Sequence, residues 1–124
     1  MTARDRLVEA LTELAEEINA RAGEARGIDP LFELSCRVVT ERPDAVELVL
    51  LRSSGGGEES AYMIEDRARV DLGADGPTRL LIAPGEDEER AIVGDALRAL
   101  GLDGLLARVR ALCEARLPQG LRPT

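Results

Sequence analysis

Ala45-Val46-Glu47-Leu48-Val49-Leu50-Leu51-Arg52 is the stretch that decides the fold of this 124-residue chain. Its side chains alternate at period two, the mark of a strand, with Val46, Leu48 and Leu50 in one phase and Glu47, Val49 and Leu51 in the other. Both phases are largely apolar, so the sequence predicts a sheet with little purely polar surface. On its N-terminal side, across the turn Glu41-Arg42-Pro43-Asp44, Leu31 to Thr40 alternates in the same way, with Phe32, Leu34, Cys36 and Val38 on one face. On its C-terminal side, beyond the Gly-rich segment Ser53 to Ser60, a longer extended run from Ala61 to Leu72 places Tyr62, Ile64, Ala68, Val70 and Leu72 in one phase. Asp66 is the single charge in that phase and reads as a bulge or a break between two shorter strands. A turn over Gly73-Ala74-Asp75-Gly76-Pro77 leads to a fourth strand, Thr78 to Ala83.

Helices flank this block. Leu7, Leu11, Leu14 and Ile18 fall at three- and four-residue spacing within Thr2 to Ala22, with Thr2 and Asp5 as a capping pair and Gly23 and Gly27 as the stop. After Pro84-Gly85, the acids Glu86 to Glu89 suit the positive end of a helix that buries Ile92, Val93, Ala96, Leu97 and Leu100 and stops at Gly101. Asp103 caps a last helix to about Leu117, and Pro118 to Thr124 reads as a frayed tail. The predicted architecture is α+β, a single domain over residues 1–117: an N-terminal helix, about four strands in an antiparallel meander, and two C-terminal helices packed on them.

Composition narrows the chemistry. All sixteen basic residues are arginine, and lysine, histidine and tryptophan are absent. Imidazole general bases and imidazole metal ligands are thereby excluded, as are Schiff-base lysines and the P-loop clamp. A net charge of −8 opposes nucleic acid and anionic membrane as partners. No run approaches the ~18 continuous apolar residues of a membrane span, and the charged N-terminus does not read as a signal peptide, so the expected location is the cytoplasm. Cys36 and Cys113 fall on apolar phases in no CxxC arrangement and read as buried free thiols.

Four segments invite a chemical reading. The glycines of Ser53 to Ser60 are followed by Glu58-Glu59 and a strand, which suits a hairpin loop and not a phosphate cradle. Asp71 to Gly76 carries acids where a calcium loop needs its first and fifth ligands, but Gly73 and Ile82 occupy its third and twelfth positions. Glu86 to Glu89 point in different directions if helical, so no metal site is expected there, and no cofactor is implied elsewhere. Asp66, with Tyr62 and Arg69, is the one combination that would give a small-ligand or carboxylate-dependent enzymatic pocket between sheet and helices.

The second phase of the sheet points instead to interaction. Val49, Leu51 and Leu81 lie in it together with Arg67, Arg69 and Arg79, an aliphatic face crossed by an arginine stripe. Three helices are too few to cover both sheet faces unless the first packs opposite the other two, so some of this surface is expected to meet a partner. The reading is a non-enzymatic protein–protein interaction module, homodimeric and binding another protein, through Val49, Leu51, Leu81, Arg67, Arg69 and Arg79. In size, acidity and mix of helix and sheet the chain is similar to dimeric bacterial secretion chaperones. It departs from them in placing no helix in the middle of its predicted sheet.

Overall fold

The computed structural model describes residues 2–28, 32–53, 63–83 and 90–121, the side chains of Met63 and Gln119 aside. Helix α1 runs from Ala3 to Ala25, and its start is the capping box expected from sequence. The Thr2 hydroxyl accepts the Asp5 amide at 3.1 Å, and the Asp5 carboxylate accepts the Thr2 amide at 3.1 Å. The helix passes through Gly23 and ends three residues later than predicted; Leu7, Leu11, Leu14 and Ile18 form its buried stripe.

Five strands follow and pair in sequence order, all antiparallel: β1 (Leu34–Val39), β2 (Ala45–Ser53), β3 (Met63–Gly73), β4 (Gly76–Ala83) and β5 (Arg90–Val93). The β3–β4 turn is two residues long, Ala74-Asp75, and closes with Gly76 at φ +124, backbone that suits only glycine.

Helix α2 (Gly94–Glu114) completes the domain, and a short 3-10 turn, Gln119–Leu121, follows it. The expected tail is docked as far as Leu121, whose carbonyl accepts a bond from Arg21 while Leu117 is fully buried.

The antiparallel meander with flanking helices matches the α+β expectation; the element counts do not. The predicted helix over Glu86 to Leu100 is replaced in its second quarter by β5, and Glu86 to Glu89 lie outside the described residues. The reason is tertiary. The outward main chain of β4 at Leu80 and Ile82 needs a partner, and the β-branched pair Ile92-Val93 supplies one, placing Ile92 beside Leu80 in the core register. The two predicted C-terminal helices form one helical run, broken only at Gly101, where φ is +69 and ψ −176. Asp103 makes no capping bond there, since the chain re-enters the helix within one residue. Of the stripe predicted for that first helix only Leu97 is buried.

Asp66 marks no break. The β2–β3 register runs unbroken through Leu50↔Asp66, and the irregularity lies at Asp71/Leu72 beside the turn.

The even-numbered strand residues (Leu34, Cys36, Val46, Leu48, Leu50, Ala68, Val70, Leu80) join the apolar faces of both helices in one core. Helix α1 overlies β1 and β2, and α2 overlies β4 and β5, so both helices lie on the same sheet face. No helix among the described residues is long and apolar enough to cross a membrane.

Candidate interaction surface

The odd-numbered strand residues occupy the face that neither helix covers. The register sets Val39, Glu47, Arg69, Leu81 and Ala91 in one row across the five strands. Arg37, Val49, Arg67 and Ala83 form the next row, and Ser35, Leu51 and Glu65 a third. Arg67, Arg69 and Arg79 therefore share a face, as their spacing suggests.

Two of these arginines are neutralised where they stand. Arg67 donates to Glu47 at 2.5 Å and to Glu65 at 2.8 Å, while Arg69 Nε lies 3.1 Å from the Asp71 carboxylate. The bond from Glu65, which outweighs the cost of burial and is joined by the bond from Glu47, holds the Arg67 guanidinium even more firmly protonated than usual. Arg79 is exposed and has no ion-pair partner among the described residues. It is the member of the stripe left available to a carboxylate from outside.

The aliphatic members also differ from one another. Val49 is 0% exposed and lies between Arg37 and Arg67 in its row. Leu51 and Leu81 are half-buried and reach solvent, as does Ala83. Toward β5 the face turns more apolar: Ala91 is exposed, and Val93 is 68% exposed.

The pocket expected from Tyr62, Asp66 and Arg69 is not assembled. Arg69 projects from the open face, Asp66 from the helix-covered face, and Tyr62 lies outside the described residues. Asp66 is fully buried and already committed as an acceptor. Arg52 Nε reaches it at 2.8 Å, and Arg116 grips it with Nε and Nη2, each at 3.1 Å. This fork ties the chain just after α2 to the centre of the sheet. Sequence held a signal for it: Arg52 shares the phase of Val46, Leu48 and Leu50, so two opposite charges sit in adjacent apolar phases.

Cys36 and Cys113 are free and buried in the same core. The neighbouring Cys36 thiol foremost, then burial, pushes the Cys113 thiol far up, which makes it a poor nucleophile at neutral pH. A cavity of about 320 Å³ lies between the start of α1, the β3–β4 turn and the Gly101 break, with Leu7, Leu97 and Leu105 as its floor and Arg6, Arg98 and Asp75 among its walls. The described residues contain no cluster of three or more His, Cys, Asp or Glu suited to a metal ion.

The surface sequence reasoning missed is β5 with the first turns of α2. Three of the four exposed large hydrophobic residues, Val93, Leu100 and Leu102, fall within ten positions there. The available signal was the β-branched pair Ile92-Val93 directly before Gly94.

The chain matches no model of a known family, no curated protein and no solved structure.

Proposed function

We propose that this chain is a non-catalytic protein-binding module that acts in the cytoplasm as a homodimer and holds another protein on the open face of its sheet. The observation that supports this best is the placement of both helices on one face, which leaves Leu51, Leu81 and Ala83 in reach of solvent on the other. A helix-free sheet face with half-exposed aliphatic residues gains free energy when it is covered. The partner this surface fits presents aliphatic side chains to Leu51 and Leu81 and a carboxylate to Arg79. In the internal pairs Arg67–Glu47 and Arg67–Glu65 one guanidinium faces two carboxylates, so Arg67 offers no positive charge to a partner. A catalytic reading finds less support: the most distinctive acid, Asp66, is buried between two guanidiniums and points away from this face.

The test is affinity capture from the native host with the wild-type chain and with a Leu51→Glu/Leu81→Glu variant, both verified as folded by circular dichroism. A partner retained by the wild type and lost by the variant supports the reading. Equal retention by both, or no retention above a bare-resin control, overturns it.

A further inference from the structure

We infer that two copies of this chain join through the outer edge of β5, making one continuous ten-stranded sheet with both helix layers on the same side. The inference rests on the dimeric reading above and says where the second copy sits. The two edges of the sheet are built differently. At β1 the outward main chain of Cys36 is sealed by Asn19 of α1: the Asn19 side-chain amide donates to the Cys36 carbonyl at 2.8 Å, and its oxygen accepts the Cys36 N–H at 2.8 Å. Such a plug prevents another strand from adding there.

The β5 edge has no counterpart to it. Antiparallel pairing alternates bonded and non-bonded residues, and the bond from Ser53 N–H to the Glu33 carbonyl sets the phase. Carried across the registers, that phase makes Leu80↔Ile92 and Ile82↔Arg90 the bonded pairs of the last ladder. The N–H and C=O of Ala91 and the N–H of Val93 therefore point outward, and no partner for them exists among the described residues.

Open strand edges accept strands of many kinds; the surroundings select a second copy. Helix α2 overlies β4 and β5, so it is the outer helix on this side, and its first segment exposes Ala96, Ala99 and Leu100 (41%). A two-fold axis normal to the sheet at Ala91 exchanges the Ala91 N–H and C=O bonds between copies. The same axis keeps both helix layers on one face and sets the outer flanks of the two α2 helices side by side. Arg98 borders the cavity toward the start of α1, on the side of α2 away from Ala96 and Leu100, so the outer flank is the apolar one. A lone extended peptide would satisfy the strand edge and leave the apolar flank of α2 uncovered.

Ala91→Pro tests this, because its ring removes only an N–H that faces away from the chain's own sheet. Val93→Asp, at an exposed side chain, is the second variant should proline disturb the strand. Light scattering coupled to size exclusion should show a dimer for the wild type. For each variant we expect dimerisation weakened by about tenfold or more, with the circular dichroism spectrum unchanged. In the wild type, the Ala91 amide should exchange with deuterium more slowly as protein concentration rises. A wild-type chain that stays monomeric overturns both this inference and the dimeric reading. A dimer that survives both variants but is lost in Leu51→Glu/Leu81→Glu overturns only the β5 inference and moves the second copy to the open face.

Discussion

Replacing Asp66 with Asn should destabilise the protein severely. Asp66 has no solvent exposure and, among the described residues, accepts charged hydrogen bonds at 2.8, 3.1 and 3.1 Å. The amide removes the negative charge and turns one acceptor into a donor that faces guanidinium N–H groups. Removing one member of a buried ion pair typically costs ~3–5 kcal/mol. Here the guanidiniums of Arg52 and Arg116 retain 26% and 22% of their side-chain surface, so water recovers part of that cost and about 3 kcal/mol is expected. For a chain of this length each kcal/mol moves the thermal midpoint by about 4 °C, so the variant should melt ~12 °C lower. With no tryptophan and a single tyrosine, the assay of choice is far-UV circular dichroism during thermal and urea unfolding. Arg116→Ala and Arg52→Ala complete two double-mutant cycles. Coupling to the two-bonded Arg116 should exceed that to Arg52, about 2 against ~1 kcal/mol. A midpoint within about 2 °C of wild type for Asp66→Asn would refute the reasoning, because the carboxylate could then not be a required acceptor.

Two further outcomes follow from the same geometry. Asn19→Ala removes both bonds to the Cys36 main chain and unseals the β1 edge, so it should cost ~1–2 kcal/mol and make the protein scatter light on storage; a soluble variant of unchanged stability would contradict the plug. Stability should be nearly flat between about pH 6 and 8, because no histidine titrates there, and should fall in acid. The sign follows from the carboxylates. Glu17 is lowered from its ordinary 4.5, chiefly by its bond from Arg110, while Asp5 is lowered from 3.8 by the Thr2 amide and Asp44 from 3.8 by Arg42. Their contribution is complete above those ordinary values and is lost as pH falls through the lowered ones. Melting scans from pH 7 to pH 2 check this, and a maximum below pH 4 would contradict it.

The first four strands read correctly because their signal is local. Leu34, Cys36 and Val38 alternate with the polar Ser35 and Arg37, and the β1–β2 and β3–β4 hairpins are punctuated by Pro43-Asp44 and by Gly73 to Gly76. The helix cap at Thr2 was legible for the same reason: two side chains three residues apart decide it. Failures came where distant partners decide. Arg90 to Val93 follows four acids that favour a helix start, yet the demand of β4 for a ladder partner outweighs a preference worth a few tenths of a kcal/mol. The candidate surface was legible as a set of positions but not as exposures. Period two puts Val49, Leu51 and Leu81 on one face, yet Val49 is sealed while Leu51 and Leu81 are not, a difference the alternation alone does not carry. Asp66 was legible as an anomaly and misread as a bulge, since its partner Arg116 lies fifty positions away.

The distribution of arginine links the fold to its open surfaces. Arg21 joins α1 to α2 through Glu114 at 2.7 Å, and Arg110 joins α2 to α1 through Glu17 at 2.6 Å. Arg116 ties the chain beyond α2 to β3, and Arg4 of α1 donates to the carbonyls of Thr40 and Arg42 in the β1–β2 turn at 3.0 and 3.3 Å. These contacts hold the helix layer to itself and to the β1–β3 side of the sheet. None among the described residues reaches β5, whose side chains are largely exposed and whose outer main chain has no partner among the described residues. The chain thus fixes one half of its sheet with guanidinium clamps and an amide plug and leaves the other half with few internal ties. A domain that needed only to be stable alone would gain by sealing β5 as it seals β1. That β1 is sealed by Asn19 while no described residue pairs the outer main chain of β5 fits the proposal that a second copy completes that side.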